Sequence, residues 1–226
     1  MRCREPDCWQ AYTLSSWPGK GELSTILDEG RQTLGVLCCN VAIGLSMFDG
    51  QLPIRAIGVV GDDHDGRLIR EAFGQHPNIS VDEIAVRGKT SYTLVLNDIL
   101  SKERTFLQYR GSNASFCEGD INWALALCSM MHIGYIMLLD ALDAQDELYG
   151  TKLARLLRHA QSLGIKTSVD VVSEAGNRYQ ALIPRRSSMP ITVPSMRSRP
   201  SRSPVSRSGM GTARLFPSIC RTRSRA

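Results

Sequence analysis

The sequence lacks any apolar stretch long enough to cross a membrane. A transmembrane helix needs about 20 consecutive, predominantly apolar residues, and no apolar run of that length occurs in the chain. Residues 1–7 also lack the apolar core of a signal peptide. Both absences favour a cytoplasmic protein without a membrane segment.

The cysteines lack the spacing of a metal site or of a disulfide framework. There are seven, an odd number, and no Cys-x-x-Cys pair occurs, although Cys38 and Cys39 are adjacent. This pattern is more typical of reduced thiols in a cytosolic protein than of zinc ligands or disulfides. We therefore expect no metal site.

The end of the sequence lacks acidic residues altogether. Residues 183–226 contain ten Arg and no Lys, Asp or Glu, so this segment carries a net charge of +10. Because the whole chain carries +5, the remaining residues carry 5 − 10 = −5. A Ser/Pro-rich segment with this charge cannot bury enough apolar surface to offset its chain entropy, which predicts disorder over 184–226. Arg-Ser tracts of this kind also occur in proteins that bind nucleic acid.

The rest of the chain has the composition of one globular α/β domain, with 42% hydrophobic and 22% charged residues overall. The nearly continuous apolar run 131–138 is typical of a central parallel strand. Alternating strands and helices predict a doubly wound, mostly parallel sheet with helices on both faces. The predicted strands cover Ile54–Val60, Ile79–Val86, 131–138 and 165–172, and the predicted helices cover 67–73 and 149–163.

A second, smaller sheet is predicted between these elements. Residues 91–97 and Arg104–Tyr109 have strand patterns whose alternation fits an antiparallel unit. A further short strand is predicted over 23–27. A loop is expected over 35–40, followed by a buried helix from Val41.

Four short motifs add chemical detail to this pattern. In chain order they are Gly35-Val36-Leu37-Cys38-Cys39-Asn40, Gly61-Asp62-Asp63-His64-Asp65-Gly66, Lys102-Glu103-Arg104-Thr105-Phe106 and Arg110-Gly111-Ser112-Asn113-Ala114. Together they resemble the signatures of the ribokinase-like (PfkB) family of carbohydrate kinases. Val36 and Lys102 stand where that family has glycine.

The resemblance implies a kinase that transfers the γ-phosphoryl group of ATP to a sugar hydroxyl with the help of Mg²⁺. It also implies that the small sheet is a lid, which excludes water and so favours transfer to the sugar over hydrolysis. A homodimer formed through the lid is a further implication. The resemblance assigns sugar binding to Gly35, Asn40, Arg104, Asn113 and Asp140.

Plainer alternatives exist for several of these residues. Asn40 has the residue type that caps helices, Arg104 suits an edge-hairpin salt bridge, and Asp140 suits the cap of the segment after a strand. In the family, the turn that corresponds to residues 61–66 is chiefly structural. We therefore expect Asp63 to stabilise this turn and His64 to lie at the surface. Asp170 resembles a family residue whose loop faces the phosphates.

The sequence lacks the family's catalytic signature, Gly-x-Gly-Asp. Gly209-Met210-Gly211 is followed by Thr212, and no Asn-x-x-Glu motif, which helps to organise Mg²⁺, occurs either. We therefore name no catalytic residue and expect an N-terminal part of a sugar kinase, with impaired catalysis and doubtful binding of ATP. The alternatives are a non-enzymatic sugar-binding remnant and, less favoured, a basic-tailed nucleic-acid-binding protein.

Both ends of the chain suggest altered reading frames. Restoring one base near Pro184 converts the tail, with suitable codons, into a sequence that contains Ile-Asn-Glu-Ile-Glu and hence the Asn-x-x-Glu motif. A one-base shift near Arg4 yields an apolar run that resembles the family's first strand. The expected organisation is thus an off-frame segment over 1–15, a partial kinase domain over 16–183, and the tail over 184–226.

Overall fold

The computed structural model describes residues 2–4, 7–35, 37–125 and 128–172. The tail predicted to be disordered lies outside these residues. Their strands are β1 (Arg2–Arg4), β2 (Asp7–Leu14), β3 (Arg31–Gly35), β4 (Ile54–Val60), β5 (Ile79–Val86), β6 (Tyr92–Asp98), β7 (Arg104–Tyr109), β8 (Met130–Ile136), β9 (Gln145–Asp146), β10 (Gly150–Thr151) and β11 (Lys166–Val171). Their α-helices are α1 (Leu37–Phe48), α2 (His64–Gly74), α3 (Asp140–Asp143) and α4 (Lys152–Ser162). Short 3₁₀ helices cover Gly111–Ser115, Glu118–Asp120 and Trp123–Leu125.

A five-stranded parallel sheet forms the body, in the order β11-β8-β1-β4-β5. Apolar side chains alternate between its two faces, as the pleat of a strand requires. Ile57, Val59, Met131 and Ile133 pack with α3 and α4 on one face. Ile54, Ala56 and Val60 pack with α1 and α2 on the other. The doubly wound, mostly parallel sheet expected from the sequence is therefore confirmed.

The second sheet has four strands in the order β3-β2-β6-β7, and we call it the lid. β6 and β7 are antiparallel, with Thr93 opposite Gln108 and Val95 opposite Phe106, which confirms the predicted pairing. β2 pairs antiparallel with β3 but parallel with β6. The lid is therefore mainly antiparallel, with one parallel pair.

The segment that we interpreted as off-frame, in its described residues 2–4 and 7–15, contributes to both sheets. β1 occupies the centre of the body, between β4 and β8. β2 lies in the middle of the lid. The altered reading frame itself remains a prediction about the gene.

Helix α4 agrees with its predicted pattern. Leu153, Leu156, Leu157 and Ala160 are all buried. The Ala154 amide donates to Thr151 Oγ1 (3.1 Å) at the start of the helix, and Gly164 follows its end with φ +78°, a conformation that glycine adopts without steric cost.

Two local predictions were wrong. Residues 23–27 form no strand and contribute only an isolated bridge between Ile26 and Leu14. The expected loop over 35–40 is largely helical, because α1 already begins at Leu37. No helix among the described residues has the length and apolar character needed to span a membrane.

Candidate functional site

The candidate site lies at the carboxyl edge of the parallel sheet, where open α/β sheets bind ligands. The loop that leaves β7 is tied to this edge. Ser112 Oγ donates to the Val59 carbonyl (2.8 Å), and the Ser112 amide donates to the Lys89 carbonyl (2.8 Å). These bonds attach the root of the lid to the end of β4.

Asn113 is held within this loop and is 3% exposed. Its backbone amide donates to Ser91 Oγ (3.0 Å), and the Ser91 hydroxyl donates to the Arg110 carbonyl. Its side-chain Oδ1 is buried and has no hydrogen-bond partner among the described residues. An unpaired buried carbonyl is costly, so Asn113 Oδ1 is an unsatisfied acceptor within the described part of the chain.

Asp140 approaches the same loop from the body. It is the first residue of α3, four residues after β8 ends, and its carboxylate forms an ion pair with Arg110. The Asp140 side chain is 50% exposed and that of Arg110 is 31% exposed. The carboxylate is thus held in place by the lid root while keeping surface for a ligand.

The turn that presents Asp140 is itself constrained. Met137 has φ +83°, which is unfavourable for a residue with a side chain. Asp143 holds this turn by accepting hydrogen bonds from the amides of Met137 (3.2 Å) and Leu139 (3.3 Å). Asp143, rather than Asp140, therefore satisfies the amides of this turn.

The 61–66 turn has the structural role that was expected. Asp63 caps α2 by accepting from the Gly66 amide (2.9 Å), and it also accepts from the amide (2.8 Å) and hydroxyl (2.6 Å) of Thr90. Burial raises the pKa of Asp63, but the hydrogen bonds outweigh burial and hold it below the ordinary value. His64 is exposed, as expected of a surface residue.

Gly35 lies against an aromatic ring. It ends β3 and is buried, and a Cβ atom placed on it would lie 1.6 Å from Trp9 Cδ1. The indole therefore needs a glycine at this position. The resemblance assigns Gly35 to sugar binding, and in the structure the side chain of Trp9 lies directly against it.

Asn40 and Arg104 form no hydrogen bond or ion pair with this group among the described residues, and Arg104 lies apart from it. Asn40 is exposed in the first turn of α1; it does not cap the helix, because the helix begins three residues earlier. Arg104 begins β7 and pairs with Asn97, at the opposite end of the strand from Arg110. The structure thus brings Asn113 and Asp140 together through Arg110, and it leaves Arg104 at the far end of the lid.

Asp170 lies inside the sheet, with 1% exposure. The Val171 amide donates to its Oδ1 (2.9 Å), and its Oδ2 has no partner among the described residues. Nearby, His132 Nδ1 and Ser168 Oγ are 3.1 Å apart. Burial lowers the pKa of His132, although the charge of Asp170 partly opposes this. Such burial does not favour the phosphate-facing role suggested for Asp170.

Within residues 2–4, 7–35, 37–125 and 128–172, no group of three His, Cys, Asp or Glu side chains is arranged to bind a metal ion. Sequence reasoning missed Arg110 as a partner of Asp140, although the residue lies in a recognised motif. It also missed Trp9, which fell in the segment interpreted as off-frame.

Sequence comparison identifies no relative. No protein-family model matches the chain, and a search of curated proteins gives no significant match. Solved structures do match it. Ribokinase from Giardia lamblia superposes with a TM-score of 0.61 at 12% identity, covering 80% of this chain and 53% of that one.

Three further structures show the same likeness. Ribokinase from Thermotoga maritima has a TM-score of 0.57 at 14% identity, covering 75% of this chain and 50% of that one. Fructokinase with bound ATP from Xylella fastidiosa has a TM-score of 0.55 at 18% identity, covering 80% of this chain and 56% of that one. The nucleoside kinase of Methanocaldococcus jannaschii has a TM-score of 0.55 at 13% identity, covering 75% of this chain and 51% of that one. The chain spans about half the length of these structures, and it has the ribokinase-like fold.

Proposed function

We propose that the chain is part of an ATP-dependent kinase that phosphorylates a hydroxyl group of a sugar or nucleoside. The observation that carries this proposal is the Arg110–Asp140 ion pair. It joins the lid root to the end of β8 at the carboxyl edge of a ribokinase-like sheet, where an acceptor substrate would enter.

In this proposal two groups bind the acceptor. The half-exposed carboxylate of Asp140 accepts hydrogen bonds from ligand hydroxyls, and Arg110 holds it in position. The unpartnered Oδ1 of Asn113 accepts a hydrogen bond from another hydroxyl. Gly35, Asn40 and Arg104 are assigned to the sugar by the motif resemblance alone, and we do not include them in this pair.

We assign no catalytic role to any residue. Transfer of a phosphoryl group depends on positioned ATP, Mg²⁺ and a base that accepts the hydroxyl proton. The sequence contains neither Gly-x-Gly-Asp nor Asn-x-x-Glu, which would supply these functions by resemblance. The 226-residue polypeptide by itself is therefore proposed to bind the acceptor with little or no turnover.

Calorimetric titration of the chain with neutral pentoses, hexoses and nucleosides tests the pocket. Asp140→Asn and Asn113→Ala should each weaken binding by about 1–3 kcal/mol, the cost of an unpaired polar group. Asp82→Asn is the matched control, since it removes the same charge from an exposed carboxylate on the edge strand β5. Failure of every ligand to bind, or equal losses in the control, would refute the proposed pocket.

We further propose a cytoplasmic protein that dimerises through the lid. Among the described residues, Cys117 and Cys128 form no disulfide, which is consistent with a reducing compartment. On the lid, Leu107 is 50% exposed and Tyr109 is 44% exposed, which provides apolar surface for a second copy. Sedimentation at rising concentration tests the dimer, and a monomer at all concentrations would exclude it.

A further inference from the structure

The turn between β8 and α3 is closed by reciprocal hydrogen bonds around Asp140. The Leu139 amide donates to Asp143 Oδ2 (3.3 Å), and the Asp143 amide donates in return to the Leu139 carbonyl (2.7 Å). A third bond runs from the Met137 amide to Asp143 Oδ1 (3.2 Å). Asp140 follows Leu139 directly, so its backbone lies inside the ring that residues 139 and 143 close.

Met137 anchors the same turn in the core. Its side chain is 1% exposed and belongs to the same buried cluster as Leu142 and Leu156. Its φ of +83° is one that a residue with a side chain rarely adopts. Such conformations persist only where the surrounding structure enforces them, and they concentrate at binding and catalytic sites. Here the buried Met137 side chain and the Asp143 carboxylate enforce it together.

We propose that Asp143 is a positioning residue of the acceptor site, which fixes the backbone that carries Asp140 and so sets the affinity of Asp140 for ligand hydroxyls. This inference rests on the proposed function. Arg110 holds the Asp140 carboxylate from the lid root, whereas Asp143 holds the Asp140 backbone from within the body. A binding group that is already in place loses less freedom when the ligand arrives, and this strengthens binding. Asp143 acts only through Asp140.

The role requires both carboxylate oxygens of Asp143. One oxygen accepts from the Met137 amide and the other from the Leu139 amide. An asparagine side chain has a single carbonyl oxygen, and its other terminal atom is a donor. Asp143→Asn therefore releases one of the two amides while keeping the size of the side chain.

Calorimetric titration of the 226-residue chain with D-ribose, D-fructose and adenosine tests this role. Asp143→Asn should raise the Kd at least about fivefold, within the range of coupling between neighbouring residues. In the Asp140→Asn background, the same substitution should change the Kd by less than about twofold, because the group that Asp143 positions is already altered. A merely structural role would instead give the same loss in both backgrounds.

Asp146→Asn is the matched control. Asp146 accepts from the amides of Leu148 (3.2 Å) and Tyr149 (3.0 Å) and forms an ion pair with Arg155 (2.9 Å). The control thus removes the same charge from a carboxylate that holds the next turn of the chain, and it should leave the Kd within about twofold.

A second variant at position 143 covers the case in which the first does not fold, which thermal unfolding identifies. Asp143→Glu keeps the charge and both accepting oxygens but displaces them by one methylene group. It should also raise the Kd in the wild-type background and leave it nearly unchanged in the Asp140→Asn background.

The outcomes separate this inference from the proposed function. If Asp140→Asn weakens binding while both Asp143 variants bind like the wild type, the positioning role is refuted and the pocket stands. Equal losses in the two backgrounds, or an equal loss in Asp146→Asn, also refute it. If none of the three ligands binds the wild type, both proposals fail. A loss of affinity that disappears in the Asp140→Asn background supports the inference.

Discussion

The ion pair between Arg87 and Asp120 connects the residue after β5 to the 3₁₀ helix Glu118–Asp120. The guanidinium donates to both oxygens of Asp120, at 2.7 and 2.8 Å, and also donates to the carbonyl of Ser115 (3.1 Å). The Cys117 amide donates to the same carboxylate (2.8 Å). Replacing Asp120 by alanine therefore removes three hydrogen bonds at once.

The expected cost follows from these contacts. Hydrogen bonds to charged groups are worth about 1.5–3 kcal/mol each, but the Arg87 side chain is 39% exposed, so water recovers much of what the guanidinium loses. We expect Asp120→Ala to lower the free energy of unfolding by about 2 kcal/mol. Burial raises the pKa of Asp120, but the bonds from Arg87 and Cys117 outweigh it and hold the pKa below 3.8. This stability is therefore present above pH 3.8 and is lost as the pH falls through the folded-state value.

Urea unfolding of wild type and variant at neutral pH measures the difference. Asp62→Ala is the matched control, because Asp62 forms a 3.6 Å ion pair with Arg67 in which the two side chains are 91% and 61% exposed, and such pairs contribute about 0–1 kcal/mol. A double-mutant cycle with Arg87→Ala isolates the pairwise energy. An Asp120 effect no larger than the control, or a coupling energy near zero, would refute the reasoning.

Three further predictions follow from the fold and the sequence. Burial holds the pKa of His132 below 6.5, so the contribution of His132 to stability is complete above that pH and decreases as the pH falls below it. When the pH is lowered from about 7.5 to 5.5, the His132→Gln variant should therefore lose less unfolding free energy than the wild type. Equal losses in urea unfolding would contradict this. Gly66→Ala should destabilise the fold by about 2–3 kcal/mol, because the new Cβ would lie 2.2 Å from the Gly61 carbonyl oxygen. Gly74→Ala is the control, since its Cβ would have no atom within 4 Å, and it should be neutral or stabilising in thermal unfolding. In a coupled ADP-release assay, the chain should phosphorylate sugars at least ~10²-fold more slowly than a version with both reading frames restored. The reason is that a positioned general base alone contributes a factor of about 10²–10⁴ to the rate. Similar rates for the two proteins would contradict this and would place the base among the retained residues.

Local sequence patterns predicted the elements whose packing is local. The spacing of Leu153, Leu156 and Leu157 is enough to define the buried face of α4, because helical periodicity is a property of neighbouring residues. The Gly-Asp-Asp turn was also predictable, since Asp63 bonds to the Gly66 amide three residues later.

Long-range pairing set the limits of prediction. The parallel pairing of β2 with β6 joins Cys8 to Tyr92, and no short-range pattern reports such a contact. Arg104 and Asn113 belong to motifs close together in sequence, yet an extended strand separates them. Sequence motifs therefore do not reveal which side chains of these loops meet.

The position of β1 has a consequence for how the chain folds. Arg2 pairs with Arg55 on one side and with Met131 on the other, so β1 lies between two strands that come later in the sequence. The pairing of β1 with β8 is a distant contact, and topologies that depend on such contacts fold slowly. Until β8 pairs with β1, the part of the sheet formed by β1, β4 and β5 has an open edge at β1, where association with another chain is most expected during folding.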